Sequence, residues 1–375
     1  MEVAIIGWYG TETIGDRAIL AGLLDVMGEA FPSLNVRIGS LYPFFTERTL
    51  LEDEGFYRGA AHGRLGEVSV FDSRCPRQLK KGVRSADILV VGGGPLMDLE
   101  EMSMLEYAFV QAKAHRVKTA LLGCGWGPLC DSRAIKSAIR LVEMADCSVF
   151  RDQTSVEQCR RHCGVGRVSS AIDPAFFACE HFLRTVGAPR SGSHVAVNFR
   201  DVAVEGAHYA KEAAPDSLFC GIVDDVAGQT DLPVYLVPMH YFRIGGDDRL
   251  MLQRVASAVG RPNVKVVHDP LGLKETMEIY YHAKACVGMR FHSVVMQTVL
   301  NGNNYIVDYT DPSTGKIVGM MKQLGIVGGC GGRYVSLHGG GPSLKIDLNS
   351  PDRLVYDMSL SKNWRKVYLD ALAAL

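Results

Sequence analysis

The chain reads ACVGMRFHSVVMQTVL from Ala285 to Leu300, where a strand, a turn and a helix follow one another directly. Val294–Leu300 is apolar and helix-like, and Gly288–Ser293 forms the turn before it. Peptide N–H groups and the helix dipole at such a helix N-terminus favour an anion. Arg290 adds a planar cationic fork suited to phosphate or carboxylate, and His292 adds a group that can carry a proton near neutral pH. The turn therefore predicts chemistry on an anionic substrate; the alternative is a surface arginine beside a capping histidine.

The same strand–loop–helix pattern recurs along most of the chain. Strands are predicted at Val3–Ile6, Ile88–Val91, Thr119–Leu122, Val195–Asn198, Val234–Pro238 and Val264–Val267. Short apolar strands that alternate with helices are typical of parallel sheets. The sequence therefore predicts an α/β fold of two Rossmann-like βα domains whose strand ends face a cleft, because ligands of open α/β sheets bind outside those ends.

The domain boundaries follow from this pattern and from the length of 375 residues, which fits two domains. We expect an N-terminal domain at residues 1–180, a C-terminal domain at 190–350 and a C-terminal helix within 351–375. Pro174–Gly192 is predicted to be the linker, because it separates the two series of strands and ends in a segment that contains Pro, Ser and Gly.

Composition excludes several classes of protein. The net charge is −1 and no long Lys/Arg run occurs, which argues against nucleic-acid binding. No apolar stretch is long enough to span a membrane, no signal peptide is recognisable, and no strongly basic amphipathic segment stands out. Ten scattered cysteines without a CxxC pair favour free thiols in a reducing compartment and no metal site. These features predict a cytoplasmic protein.

Polar residues follow several predicted strands of the second half. Arg200 and His240 stand at strand ends, as do Arg290 and His292. Two arginines and two histidines around one site can neutralise a trianion such as a phosphorylated carboxylate. Lys316, in a turn that begins at Asp311, is a further candidate for anion contact, the alternative being a solvated lysine.

Glycine-rich loops follow the predicted strands of the first half. Gly10 lies in a loop that matches neither the dinucleotide fingerprint nor the P-loop, so neither motif supports NAD(P) or ATP binding. Asp16 is either a first-turn carboxylate or a catalytic base. Gly93 and Gly94 leave almost no side chain on their loop, so a ligand or a neighbouring segment must approach its backbone. Trp126 either stacks on a sugar or packs in the core.

Five segments together resemble the polysaccharide pyruvyl transferase family. They occur in the family's order and are Gly10–Asp16, Gly92–Asp98, Arg151-Asp152, Ile172–Ala175 and Gly288–Ser293. The chain departs from the family at Thr13, where Asn is usual, and at Phe291, where Leu is usual. Thr13 lies in the loop expected on the acceptor side, so the departure concerns the acceptor more than the donor.

The resemblance implies a glycosyltransferase-B-like architecture and a ketal-forming pyruvyl transferase. Phosphoenolpyruvate would be the donor, bound in the second domain at Arg200, Arg290 and His292, and no cofactor would be needed. The acceptor would be a sugar diol of a glycan or glycoconjugate, lipid-linked or nucleotide-linked, bound in the first domain. The product would be a cyclic pyruvate ketal on exopolysaccharide or cell-wall glycan. A homo-oligomer, and attachment to the inner membrane face for a lipid-linked acceptor, are further expectations.

The residues suggest roles for this reaction. His292 is the candidate acid that protonates the methylene of the donor, and Asp16 or His240 the candidate base. Gly10, Thr13, Gly93, Gly94 and Trp126 are candidate acceptor contacts, and Lys316 is a candidate donor contact. Three alternatives stay open: a nucleotide-sugar-dependent glycosyltransferase, pyruvyl transfer to a small metabolite, and a non-catalytic scaffold that retains the fold.

Overall fold

The computed structural model describes residues 1–164, 168–202, 216–242, 244, 246–327, 330, 332–338 and 344–375. The chain divides into two compact units. The first comprises Met1–Glu12, Asp16–His181 and Asp357–Leu375, and the second comprises Thr13–Gly15 and Phe182–Tyr356. The division therefore follows the chain except at a short segment of the first loop and at the C-terminal helix.

The strands of the described residues are short. They are β1 (Glu2–Ile6), β2 (Leu34–Ser40), β3 (Leu65–Asp72), β4 (Ile88–Gly92), β5 (Pro95–Leu96), β6 (Lys118–Trp126), β7 (Cys147–Phe150), β8 (Val168–Ser170), β9 (His194–Val197), β10 (Val234–Leu236), β11 (Val264–Val266), β12 (Ala283–Gly288), β13 (Asn304–Asp308) and β14 (Tyr334–Ser336).

Helices separate most of these strands. They are α1 (Ile14–Ala30), α2 (Pro43–Glu52), α3 (Glu54–Ala60), α4 (Pro76–Arg84), α5 (Met102–Ala114), α6 (Ser132–Met144), α7 (Gln153–His162), α8 (Ala175–Thr185), α9 (Asp216–Gly228), α10 (Asp248–Val259), α11 (Leu273–His282), α12 (Phe291–Leu300), α13 (Lys316–Gln323) and α14 (Met358–Ala373).

A parallel sheet forms the centre of the first unit. Its strand order is β3-β2-β1-β4-β6-β7-β8, and β5 pairs with β6. Every residue of β4 is buried and so are four of the five residues of β1, as expected for central strands that helices cover on both faces. The continuous apolar runs that predicted these strands reflect this burial.

The C-terminal helix α14 belongs to the first unit. Tyr368 is fully buried, and its hydroxyl donates to the carbonyl oxygen of Ile172 over 2.7 Å. Arg365 forms ion pairs with Asp25 and with Glu180. The last helix of the chain therefore packs in the unit whose sheet is formed by the N-terminal half of the sequence.

The second unit contains a parallel sheet of order β11-β10-β9-β12-β13-β14. Counted along the chain, this is the order 3-2-1-4-5-6 of a dinucleotide-type Rossmann sheet. The strand order reverses between β9 and β12, which pair directly, Val197 lying beside Val287. Ligands of such sheets bind in the crevice outside the carboxyl ends of the strands at this reversal.

The prediction of two Rossmann-like α/β domains and a C-terminal helix is confirmed. The boundary between the two units falls between His181 and Phe182, within the predicted linker, but most of Pro174–Gly192 is helix α8 and not loop, with Phe176, Phe177 and Phe182 buried. Apart from Pro174, the Pro, Ser and Gly residues of that segment stand near its end, and the apolar spacing before them is helical. Strand β3 was also not predicted. Within the described ranges, no helix is long and apolar enough to cross a membrane.

Candidate active site

The strand-end residues of the second unit lie at the reversal of its sheet. Asn198 and Arg200 follow β9, and Arg290 follows β12, the strand beside it. His240 follows β10, on the other side of β9. Because parallel strands end at one edge of the sheet, the topology brings onto neighbouring loops groups that lie up to 92 residues apart in the sequence.

Asn198 ties these loops together. Its side-chain amide donates to the carbonyl oxygen of Val237 over 2.9 Å, and its Oδ1 accepts the backbone N–H of Arg290 over 3.0 Å. The side chain is fully buried. The loops after β9, β10 and β12 are therefore held in a fixed relation before any ligand arrives.

Arg290 is engaged by Asp248 at the N-terminus of α10. Its Nε lies 2.7 Å from Oδ2 and its Nη2 lies 2.6 Å from Oδ1 of that carboxylate. Oδ2 also accepts the backbone N–H groups of Met239 and His240, and Asp248 is 1% exposed. Asp248 therefore offsets the charge of Arg290 and fixes its orientation. Within the described ranges, Nη1 of Arg290 has no hydrogen-bond partner, so one edge of the fork is available.

The hydrogen bonds of His240 define its tautomer. Nε2 lies 2.6 Å from the carbonyl oxygen of Ile244, which can only accept, so Nε2 carries the proton. Nδ1 lies 2.7 Å from Oγ1 of Thr13 and therefore accepts the hydroxyl proton. The backbone N–H of Ile14 donates to the carbonyl oxygen of Met239 over 3.0 Å, which fixes the same segment.

Burial sets the charge state of His240. The imidazole is 5% exposed, and burial together with the guanidinium groups of Arg290 and Arg200 lowers its pKa to about 4. The carbonyl oxygen of Ile244 opposes the shift only in part. His240 is therefore neutral near pH 7, with Nδ1 in the form that accepts a proton.

Arg200 and Lys316 face one aromatic ring. Arg200 is 3% exposed, its Nη1 donates to the hydroxyl of Tyr309 over 3.1 Å, and its guanidinium carbon lies 4.9 Å from the ring centroid. Nζ of Lys316, the first residue of α13, lies 5.4 Å from the same centroid. Arg200 and Lys316 thus bring two positive charges to the ring of Tyr309, and the charge of Lys316 also acts on the buried carboxyl group of Asp308.

His292 stands in the first turn of α12, with its ring edge-on to Phe291 at a centroid distance of 5.0 Å. Gly15 leaves the space that the imidazole occupies, because a Cβ atom there would overlap with Nδ1 of His292. The predicted helix N-terminus is thus real, and a glycine from the other end of the sequence shapes its surroundings.

Two predicted residues of the first unit lie near the start of α1. Asp16 stands in the first helical turn, with its Oδ2 3.4 Å from the hydroxyl of Thr11. Gly10 has a φ of 88°, and a side chain there would press against the hydroxyl of Ser40 and the backbone of Tyr42. Packing within the unit therefore accounts for the glycine at position 10, and its expected contact with the acceptor stays a prediction.

Packing also accounts for Gly93, Gly94 and Trp126, which we had expected to contact the acceptor. Both glycines have positive φ, and side chains on them would overlap with Ile19 and with Trp8. Trp126 is 7% exposed and stacks on His162 at a centroid distance of 5.8 Å. Packing thus explains why these residues stand here, and their contact with the acceptor stays a prediction.

Sequence reasoning missed Asp248, Asn198 and Tyr309. Asp248 follows an N-capping aspartate and has the sequence signature of an ordinary first-turn carboxylate. Asn198 ends the predicted strand Val195–Asn198, and Tyr309 directly follows β13, so the strand-end position that identified Arg200 is also a signal for these two uncharged residues.

One group of potential metal ligands lies in the first unit. Ligand atoms of Asp25, Glu29 and His62 lie within 4.8 Å of one another. Arg365 forms ion pairs with both carboxylates. The guanidinium already supplies the positive charge that a cation would bring.

A family model matches most of the chain. The model of polysaccharide pyruvyl transferases aligns with residues 14–311. That range contains Arg200, His240, Arg290 and His292, begins directly after Thr13 and ends before Lys316.

Solved structures of similar fold are distant in sequence. The S. aureus MnaA–UDP co-structure superposes with a TM-score of 0.56 at 10% identity, covering 99% of this chain and 98% of that one. A putative UDP-N-acetylglucosamine 2-epimerase from Listeria monocytogenes gives 0.55 at 12% identity, covering 97% and 94%. A glycosyltransferase from Rickettsia africae gives 0.50 at 9% identity, covering 99% and 93%. At such identities the similarity establishes the fold alone, which is of the glycosyltransferase-B type.

Proposed function

Because the chain belongs to the polysaccharide pyruvyl transferase family, we propose that it transfers the pyruvyl group of phosphoenolpyruvate to two hydroxyls of a sugar. The product is a cyclic ketal and the by-product is phosphate. The acceptor is a sugar diol of a glycan or glycoconjugate; pyruvyl transfer to a small metabolite uses the same donor chemistry. The enzyme is accordingly a ketal-forming transferase that needs phosphoenolpyruvate as a co-substrate and no cofactor.

One observation carries the proposal: Arg200 and Lys316 face the ring of Tyr309, which follows β13, the strand paired with β12 that leads into α12. Phosphoenolpyruvate carries a phosphate and a carboxylate, and Arg200, Lys316 and Nη1 of Arg290 offer donors for both. The ion pair with Asp248 orients Arg290 in advance, which lowers the cost of organising the site during the reaction.

The first chemical step requires a proton on the methylene carbon of the donor. We assign this proton to His292, whose first-turn position brings it to the anion-binding end of α12. Protonation leaves the adjacent carbon electrophilic, and a sugar hydroxyl adds to it with loss of its own proton. The intermediate is a tetrahedral phospho-ketal.

The second step releases phosphate. The bond between the ketal carbon and the phosphate oxygen breaks with its electron pair on that oxygen, and Arg200 with Lys316 offsets the charge that develops there. The second sugar hydroxyl then adds to the same carbon and loses its proton. The sum is phosphoenolpyruvate plus diol giving ketal plus phosphate.

The geometry favours His240 over Asp16 as the proton acceptor. Nδ1 of His240 already accepts from the hydroxyl of Thr13, so a sugar hydroxyl that donates to Oγ1 of Thr13 could pass its proton to the imidazole in one relay. The contacts of Asp16 are those of a first-turn carboxylate. Thr13 thereby takes a defined part in the proposal.

The direct test incubates the protein with phosphoenolpyruvate and a panel of saccharide diols in D₂O. We expect release of inorganic phosphate and a product that carries one pyruvate ketal, whose methyl group contains one solvent deuteron. His292→Gln should slow turnover much more than it weakens donor binding. The ketal itself separates transfer from simple hydrolysis, because hydrolysis releases phosphate and pyruvate without a ketal, and the deuteron in the ketal methyl group reports protonation of the donor methylene.

Donor binding is tested separately by thermal shift. Phosphoenolpyruvate should stabilise the protein saturably, and Lys316→Gln should weaken this by about tenfold, as for loss of one charge-assisted contact. Lys322→Gln, on the same helix but bound to the carbonyl oxygen of Ser313, is the matched control. Stabilisation by UDP or a UDP-sugar, with none by phosphoenolpyruvate, would move the protein to nucleotide-sugar chemistry.

A further inference from the structure

Helix α4 of the first unit presents one strongly basic face. Its sequence, PRQLKKGVR, contains four cations and no carboxylate. Leu79 and Val83 are buried against the core, whereas the cations are exposed. Positions 77, 80, 81 and 84 follow the i, i+3, i+4, i+7 spacing that places side chains on one side of a helix. We call Arg77, Lys80, Lys81 and Arg84 the α4 basic face.

The charge of the α4 basic face is not offset by its surroundings. Within the ranges that the structure describes, none of its four side chains forms an ion pair or a hydrogen bond. With Ser85 these side chains line an open depression of about 430 Å³ that no carboxylate lines. In a chain whose net charge is −1, such a concentration of unscreened cations is a distinct surface.

Neighbouring groups respond to this charge. His115, at the C-terminal end of α5, is exposed, and after slight desolvation the charges of Arg84 and Lys80 lower its pKa. Arg37 donates to the hydroxyl of Ser85, although its own charge is paired with Glu2. The positive charge of α4 therefore acts as far as the C-terminal end of α5.

The dimensions of the α4 basic face favour a lipid surface over a nucleic acid. From Arg77 to Arg84 the face spans only about 10 Å of helix, at 1.5 Å per residue. A specific nucleic-acid site buries a much larger and more extended basic surface. A bilayer needs no such length, because several headgroups can gather under one cluster of cations, and the depression can admit a phosphate group between the side chains.

We propose that the α4 basic face docks the protein peripherally on bilayers that contain anionic phospholipid. The apolar side of α4 is buried in the core, so docking is electrostatic and involves no insertion of the helix. The choice of a membrane rests in part on the proposed function, because a lipid-linked acceptor would be met at such a surface. The α4 basic face also corrects our expectation that no strongly basic amphipathic segment is present.

The test is co-sedimentation of the purified full-length protein with vesicles at low ionic strength, without substrates. One set of vesicles contains phosphatidylcholine alone, and the other contains phosphatidylcholine with phosphatidylglycerol. The variant is Lys80→Gln/Lys81→Gln. The matched control is Arg133→Gln/Lys136→Gln, which removes two exposed cations at i and i+3 of α6 and thus gives the same change of net charge.

We expect binding to the anionic vesicles alone, and a loss at high salt because exposed charges are screened. Lys80→Gln/Lys81→Gln should weaken partitioning about 30-fold, since each cation near an anionic leaflet contributes roughly a fivefold factor. Arg133→Gln/Lys136→Gln should bind as the unchanged protein does. Equal binding of both variants, equal binding to neutral vesicles, or comparable binding to duplex DNA at the same phosphate concentration would overturn the proposal. None of these outcomes depends on phosphoenolpyruvate, so failure here leaves the proposed reaction untouched.

Discussion

The hydroxyl of Thr13 donates to Nδ1 of His240 over 2.7 Å, joining two residues that are 227 positions apart in the sequence. The same pair forms an isolated antiparallel bridge. The resemblance to the family leads to an expectation of Asn at position 13, and the side-chain amide of Asn, like the hydroxyl of Thr13, is a donor for Nδ1 of His240.

Substitutions of Thr13 distinguish the contribution of this hydrogen bond to stability from the contribution of the side-chain volume. Thr13→Val keeps the volume and removes the donor, so the buried Nδ1 of His240 loses its partner at a cost of about 1–3 kcal/mol in unfolding free energy. Thr13→Ser and Thr13→Asn should stay closer to the unchanged protein. Denaturant titration of the three variants measures this order, and equal losses in all three would show that the hydrogen bond contributes nothing.

The buried imidazole of His240 makes stability depend on pH. Its folded pKa of about 4 lies below the ordinary value of 6.5, so between these values the unfolded chain binds a proton that the folded chain does not. The free energy of unfolding is therefore at its full value, as far as His240 is concerned, above pH 6.5. It decreases as the pH falls towards 4, by about 3 kcal/mol in total.

The contribution of His240 to the pH dependence of stability is obtained by comparing the unchanged protein with the His240→Gln variant. His194, whose pKa burial also lowers, acts in the same direction. Unfolding free energies of the unchanged protein and of His240→Gln should therefore be compared from pH 7 to 4.5. Subtraction should leave a slope that belongs to position 240, and parallel curves would mean that this imidazole titrates normally in the folded state.

Because Arg290 forms an ion pair with the buried Asp248, we expect substitution of Arg290 to lower the stability of the fold in addition to any effect on catalysis. Arg290→Ala leaves a carboxylate that is 1% exposed without its counter-charge, which should cost about 3 kcal/mol of unfolding free energy. Loss of activity in that variant is therefore ambiguous. Arg290→Lys keeps the charge and removes the planar fork, so it is the better probe of donor binding.

A double-mutant cycle tests the same pair. Oδ2 of Asp248 accepts both the Met239 and the His240 backbone N–H groups, and the amide oxygen of Asn could retain both bonds. Arg290→Met/Asp248→Asn should therefore be more stable than either single variant, with a coupling energy of about 2 kcal/mol in denaturant titration. Additive losses would contradict a direct coupling.

Gly15 provides a test of where the His292 imidazole must stand. Gly15→Ala places a methyl group in the space of that ring, although alanine by itself favours the helix that Gly15 occupies. We expect turnover to fall at least tenfold, the size of effect that displacement of a catalytic group by about 1 Å produces. Gly221→Ala, in α9, meets no atom within 4 Å and is the control. Unchanged turnover in Gly15→Ala would remove His292 from the reaction.

The ring of Tyr309 contacts two cations, Arg200 and Lys316, that were predicted from separate segments of the sequence. Tyr309→Phe removes the hydroxyl bonded to Arg200 and keeps the ring beneath both Arg200 and Lys316. Donor affinity should fall severalfold at nearly constant thermal stability, consistent with one lost hydrogen bond to a charged group. Tyr309→Leu also removes the aromatic face and should weaken the donor further; isothermal titration with phosphoenolpyruvate separates the two losses.

Most of the fold could be predicted because its signal is local. Strands β1, β4, β6, β9, β10 and β11 were identified to within a few residues, since buried parallel strands have continuous apolar runs. Strand β3 was missed because it lies at the edge of its sheet, and its partly exposed residues lack such a run. The helical structure of the predicted linker was not foreseen, because Pro189, Ser191 and Gly192 outweighed the helical spacing of the phenylalanines before them.

Local sequence was enough to predict the two series of strands and helices of the Rossmann-like domains, the strand-end positions of Arg200, His240 and Arg290, and the helix N-terminus at His292. Each of these follows from residues adjacent in the chain, where backbone preference and side-chain periodicity act. Three contacts are visible only in the folded structure: the Asp248 carboxylate pairs with the charge of Arg290, the Thr13 hydroxyl donates to His240, and the absence of a side chain at Gly15 leaves space for the His292 ring. Such partners lie tens to hundreds of residues apart, and hydrogen bonding and packing between them depend on distances in space that only the folded sheet order sets.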